Sequence, residues 1–205
     1  FEGTRSAYDL KFPVTLWSIS STPKGATNKL GQELFPEASL VNNLDYGKNR
    51  AKVAWYNIDP CMVDKRQNCM PEHLKNDTSQ LSSHYLRLIQ QQEVFPNRTF
   101  TSLQGNLTTF DMAYFPDTRG PYNFDATNID ADGRLLNPEK RWGGIMRPID
   151  FSDFETANVG FIEFWVLDPF IDVDQNGNLE HNQVPGELYI NMGSISEDIL
   201  KDSRK

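Results

Sequence analysis

The chain has 205 residues, 38% of them hydrophobic, 12% aromatic and 23% charged, with a formal net charge of −8. A chain of this size folds as one large domain or two small ones and, burying roughly 70% of its unfolded surface, does not depend on disulfides. Its acidic balance argues against nucleic acid or anionic lipid as partners, and no apolar run reaches the roughly 20 residues of a membrane-spanning helix.

In chain order, Tyr8–Ser20 alternates and is rich in β-formers, with Pro13 marking an edge or a bend. Arg50–Pro60 reads as a strand closed by Asp59-Pro60. From Ser79 the period changes: Leu81, Tyr85, Leu88 and Ile89 fall on one face of an amphipathic helix. Asp77, Thr78 or Ser79 caps its start, and Pro96 lies beyond its end. Gly105–Pro116 returns to strand, with slips that mark a bulge. "RWGGIMRPI" is a further strand. In "NVGFIEFWVLDPF" Val159, Phe161, Trp165 and Leu167 face one way and Ile162, Phe164 and Val166 the other, which predicts a central strand covered on both sides. Gly186–Ser196 is a last strand, and Ser194 with Glu197 has the spacing of a capping box opening a short C-terminal helix.

The expected fold is therefore mainly β, a jelly-roll-like sandwich with one inserted amphipathic helix and a short C-terminal helix. Residues 1–205 form a single domain, looser over 1–100 and a sandwich over 101–196. The chain opens on Phe1 rather than Met and closes inside a helical pattern, so it reads as a fragment of a much larger protein.

Two loops have calcium-loop spacing, with oxygen ligands on alternate residues around a turn-forming Gly. One offers Asn128, Asp130 and Asp132, then Gly133, with Glu139 at the twelfth position; Pro138 disfavours the usual exiting helix. The other offers Asp172, Asp174 and Asn176, then Gly177, but Gln183 occupies the twelfth position, where a carboxylate is needed. Ca2+ is thus the one cofactor suggested. The competing reading is that Asp, Asn and Gly are what any tight loop uses.

Cys61 and Cys69 are too far apart for a Cys-x-x-Cys motif and are either a short disulfide or two free thiols. His73, His84 and His181 fall in no nucleophile or metalloprotease motif, and acid pairs such as Asp153 with Glu155 are expected by chance in so acidic a chain, so no catalytic residue is assigned. Glu163, in the predicted central strand, calls for a partner, and Arg147 supplies one as a buried ion pair. Trp142 and Trp165 are either core or stacking platforms for a sugar ring. Asn76, Asn97 and Asn106 stand in glycosylation sequons.

Several stretches together, among them "FPEASLVNNLDYGKNRAKVAWYNIDP", "NLTTFDMAYFPDTRGPYNF", "NPEKRWGGIMR" and "GELYINMGSISEDILKDSRK", resemble the SprA/Sov family of the Bacteroidetes. That family forms the outer-membrane translocon of the type IX secretion system and in some members serves gliding motility. The resemblance implies a non-enzymatic structural and interaction domain at the periplasmic or extracellular face of the cell outer membrane. Its partners would be the rest of the translocon barrel, its accessory proteins and secreted cargo proteins. Function would then lie in loops such as "FPDTRGPYNF" and "DVDQNGNLE". The reading from a different class is a carbohydrate-binding jelly-roll module with structural calcium.

Overall fold

The computed structural model describes residues 8–99, 105–149, 159–173, 178–181, 186–193 and 195–201. Helices are few and short, and the strands form several short pairs. In chain order the elements are β1 (Ser18–Ile19), β2 (Ala51–Tyr56), α1 (Glu72–Lys75), α2 (Thr78–Leu81), β3 (Ile89–Gln90), α3 (Gln91–Val94), β4 (Asn106–Leu107), β5 (Asp111–Arg119), β6 (Ile145–Met146), β7 (Ile171–Val173) and β8 (Leu179–His181). β1 pairs antiparallel with β6, β3 with β4 and β7 with β8, and β2 lies beside β5. The chain divides into two compact units: Phe1–Tyr56, Met112–Asp150 and Asn191–Lys205 form one, and Asn57–Asp111 with Phe151–Ile190 the other.

The first unit relies on buried polar side chains as much as on apolar packing. Ala38, Tyr46, Ala51, Leu135 and Trp142 are buried, and so are Glu37, Arg50, Asn123, Asp125 and Arg141. With so few ladder hydrogen bonds available, loop carbonyls need other donors, since an unpaired buried carbonyl is costly. Asn123 Nδ2 donates to the carbonyls of Lys48 (3.0 Å) and Arg50 (2.7 Å). Arg141 donates to the carbonyls of Leu136 (2.7 Å) and Lys48 (2.9 Å). The stretch "FPDTRGPYNF" begins in β5, and its turn is anchored to the unit by the buried Asn123 while Phe115, Tyr122 and Phe124 stay exposed.

Gly120 approaches β2 so closely that a Cβ there would lie 2.4 Å from the Ala51 carbonyl oxygen and 2.7 Å from its carbon. Both are backbone atoms that cannot swing aside. Gly120→Ala is therefore expected to lower stability by about 2–3 kcal/mol, the overpacking range. Urea unfolding checks this, and a loss below about 0.5 kcal/mol would mean the approach is not tight.

One regularity is visible only in three dimensions. Two loops of the first unit share one hydrogen-bond pattern. The Asn28 side-chain oxygen accepts from the backbone N–H of Leu30 (2.9 Å) and Gln32 (3.0 Å), and Asp130 Oδ1 accepts from Asp132 (2.9 Å) and Arg134 (2.8 Å). Asn28 N donates to the Gln32 carbonyl, and Asp130 N to that of Arg134, both at 2.9 Å. Isolated antiparallel bridges flank them at Thr27–Glu33 and Ile129–Leu135. The turn in each needs a left-handed residue, supplied by Gly31 (φ 77°) and Gly133 (φ 80°). Each loop then enters a 3-10 turn that starts on a proline, Pro36–Ser39 and Pro138–Lys140. The chain thus builds the same hairpin and turn twice.

The second unit departs most from expectation. The long amphipathic helix from Ser79 is not formed. Asp77 does cap α2, accepting from the Gln80 N–H at 3.0 Å, but α2 ends at Leu81. Ser82 Oγ bonds back to the Thr78 carbonyl (2.7 Å), a local alternative to continuing the helix. The Tyr85 hydroxyl donates instead to the carbonyls of Pro169 (3.2 Å) and Ile171. Ile89 then enters β3, opposite Leu107.

The predicted central strand is also absent among the described residues: residues 159–170 carry no strand. Sequence that is apolar on both faces needs a hydrogen-bonded neighbour on each side and a layer above and below, and the described chain supplies neither. The strand expected over 186–196 is missing over its described residues as well, and residues 195–201 form no helix; Ser194 lies outside the described residues.

Candidate functional site

In the Asn128–Glu139 loop one candidate ligand, Asp130, is committed to its own chain. Asp130 caps the turn as described above, Asn128 Nδ2 donates to Asp125 Oδ2 (3.0 Å), and Glu139 is exposed in the 3-10 turn. In the second loop Asp174 and Asn176 lie outside the described residues, and Asp172 stands in β7, opposite Glu180. Among the described residues, no group of three or more His, Cys, Asp or Glu side chains is placed to hold a metal ion.

The polar network that does converge is one that sequence reasoning missed. Asp125 is buried and accepts from Thr127 N and Oγ1 (both 2.9 Å) and from Asn128 N (3.1 Å). The Arg141 guanidinium lies 3.6 Å away, its side chain 3% exposed. Burial alone pushes the Asp125 carboxyl up, but the hydrogen bonds from Thr127 and Asn128 outweigh it and hold the group well below the ordinary carboxylate range. Arg141 also donates to Asn49 Oδ1 (3.0 Å), and Asn49 Nδ2 donates to the buried Glu37 (2.5 Å). The chain Glu37–Asn49–Arg141–Asp125 is therefore continuous. Chemically it positions loops: its donors end on carbonyls and side chains of the same unit.

Trp142 belongs to this interior. It is 7% exposed, its ring lies 5.1 Å from the Arg50 guanidinium carbon and 6.0 Å from the Phe35 ring, and it is not available to stack on a sugar. Arg147 points its donors at the carbonyls of Leu10 and Phe12, and lies 5.8 Å from the rings of Tyr8 and Trp17. Glu163 is exposed, so the expected buried ion pair does not describe it.

In the second unit Cys61 and Cys69 are joined in a disulfide with Cα atoms 5.4 Å apart. Inside this loop Arg66 forks onto Asp64 (Nε–Oδ1 2.9 Å, Nη2–Oδ2 2.9 Å), and these hydrogen bonds hold the Asp64 carboxyl down at about 2. Beside it runs an open groove of about 370 Å3 lined by Val63, Lys65, Thr78, Leu81 and Ser82, which brings no acid or histidine together. Replacing both cysteines with serine is expected to cost about 2.5 kcal/mol, the loop-closure entropy of so short a ring. Denaturant unfolding of oxidised protein and of the double variant measures the difference, and equal midpoints would show the bridge carries no stability.

The most distinctive surface is apolar. Phe161 is 83% exposed and Trp165 74%, with Phe164 and Val166 also exposed, and Leu188, Tyr189 and Ile190 form a second exposed run. Trp165 meets the Phe95 ring edge-on at 6.4 Å, which leaves most of its face in water. The sequence pattern marks this segment as apolar on both faces; what it could not give was its exposure among the described residues.

Compared with protein-family models and with characterised proteins, the chain matches none.

Proposed function

We propose that the chain is a non-enzymatic structural and interaction domain of the type IX secretion outer-membrane translocon, serving protein export and gliding motility. The observation that supports this reading best is the exposed run Val159–Leu167. Large apolar patches are uncommon on free-standing proteins and mark surfaces that other polypeptides cover. On this reading the run, with Leu188–Ile190, completes its pairing with strands of the surrounding barrel or of an accessory protein, and the short ladders become parts of a jelly-roll-like sandwich. The domain sits at the periplasmic or extracellular face of the cell outer membrane and meets secreted cargo there.

The exposed rings of Phe161 and Trp165 also suit the second reading, a carbohydrate-binding module in which they stack on sugar. Of the two tryptophans considered as stacking platforms, Trp165 is the exposed one and Trp142 is buried. A photo-crosslinking residue at position 161 in cells separates the two. The translocon reading expects crosslinks to barrel segments or secreted cargo. Saturable glycan binding that Trp165→Ala abolishes without unfolding, together with no such crosslinks, would replace it by the carbohydrate reading.

A further inference from the structure

Residues 195–201 have neither helix nor strand, and 195–198 are exposed, yet the first unit grips them at defined points. The Tyr46 hydroxyl, from a residue 1% exposed, donates to the Asp198 carbonyl at 3.4 Å. Arg50, 2% exposed, donates through Nη2 to the Ile199 carbonyl at 3.2 Å. Asn42 N donates to the Lys201 carbonyl at 2.8 Å. Ile199, Leu200 and Lys201 are half-buried, and the Lys201 Nζ donates to the Ala38 carbonyl at 2.8 Å and lies 5.4 Å from the Tyr46 ring centroid. The grip therefore reads three main-chain carbonyls and one ammonium, and it holds the segment bent: Lys201 N donates to Asp198 Oδ1 at 2.7 Å and Lys201 has a left-handed φ of 46°, an arrangement that suits a turn carrying Asp three residues before Lys.

The cleft is also held open by bonds that do not involve this segment. Arg50 donates to the carbonyls of Pro121 (3.1 Å) and Ser20 (3.4 Å), and Thr22 donates through N and Oγ1 to the Tyr46 hydroxyl (3.2 Å) and carbonyl (2.7 Å). A preorganised cleft keeps its affinity when the occupant leaves. The occupant has no ladder hydrogen bonds, and only Ile199 and Leu200 bring half-buried apolar side chains while 195–198 are exposed, which places it at the low-stability end of the molecule.

We propose that Ala38, Asn42, Tyr46 and Arg50 form a binding cleft for a bent peptide segment with Asp three residues before Lys, and that the segment 195–201 is its exchangeable occupant in cis. This site is independent of the exposed apolar run on which the proposed function rests.

Amide hydrogen exchange on the intact chain tests it, because the Asn42 N–H is bonded to the segment, whereas the N–H groups of Ala51 and Trp142 are bonded to Trp142 and Asn49 within the unit. Asn42 is expected to exchange at least roughly tenfold faster than Ala51 and Trp142, reporting release of the segment without unfolding. Adding the synthetic peptide Ile-Ser-Glu-Asp-Ile-Leu-Lys restores Asn42 protection saturably, and the same peptide ending in Ala does not. In Lys201→Ala, Asn42 loses protection while Ala51 keeps it, and the peptide binds with an apparent Kd roughly tenfold lower because the cis competitor is weakened. If Asn42, Ala51 and Trp142 exchange together, or if the peptide fails to bind Lys201→Ala, the segment is an integral part of the unit and the proposal falls.

Discussion

Arg50→Met is expected to lower the stability of the protein by about 3 kcal/mol, the cost of two or three charge-assisted hydrogen bonds left without donors. Two effects oppose each other at this site. Burial of the guanidinium is itself costly: it lowers the Arg50 pKa, only partly offset by the nearby Tyr46 and Tyr122. No carboxylate lies within ion-pair distance of it among the described residues, so methionine would relieve that desolvation while keeping the apolar stem over Trp142. Against this, the carbonyls of Ser20, Pro121 and Ile199 all lose a donor, and they belong to three separate segments of the chain. The loss of donors wins because three part-buried carbonyls cannot be repacked away, whereas the guanidinium, although its Nε has no partner among the described residues, is compensated at both Nη atoms.

Arg50→Lys should be nearly as damaging as Arg50→Met. One ammonium cannot reach three carbonyls lying in different directions, and it does not stack on Trp142 as a planar guanidinium does. Equilibrium unfolding in urea gives both values. A methionine variant as stable as the parent would show that the three carbonyls find water, and that the first unit is looser than its hydrogen bonds indicate.

The parts of this molecule that sequence made legible are those governed by local chemistry. Asp77, one of three candidate caps, and the strand after Arg50 follow from residue types and their immediate neighbours, whereas the strand expected over Gly105–Pro116 is split into β4 and β5. Serine back-bonding at Ser82 is equally local, but the periodicity of Leu81, Tyr85, Leu88 and Ile89 masked it, and Tyr85 then found acceptors far along the chain. The run from Val159 to Leu167 failed for another reason: its pattern states a demand for cover, and a pattern cannot say who meets it. The paired loops at Asn28 and Asp130 escaped notice because Asn and Asp, or Gln and Arg, look different as letters while forming the same turn. The same equivalence explains the calcium-like spacing of Asn128–Glu139: alternate Asp and Asn with a following Gly is also the signature of a carboxylate closing its own hairpin. The buried network was the least legible, since nothing local marks Asp125 and Arg141 as partners.

That network carries the second large effect. Asp125→Asn is expected to cost about 3–4 kcal/mol at neutral pH, within the range for breaking a buried pair by removing one partner. The new amide would still accept from Thr127 N, but its NH2 group would face Asn128 Nδ2 and Arg141 Nη1, both donors, and Arg141 would keep its buried charge without an anion. The pH dependence distinguishes this from a simple packing defect. Because the folded-state carboxyl lies below the ordinary range, its contribution is complete above the unfolded value of about 4 and is lost as pH falls from there toward the folded value. Parent and Asp125→Asn should therefore differ most at pH 7 and converge as pH drops below about 4, with other acids such as Asp64 cancelling because both proteins contain them. Urea unfolding at pH 7, 4 and 2.5 measures the gap. A gap that stays constant across that range would mean that charge does not hold Asp125 in place, and that Thr127 and Asn128 act on it only as they would on a neutral side chain.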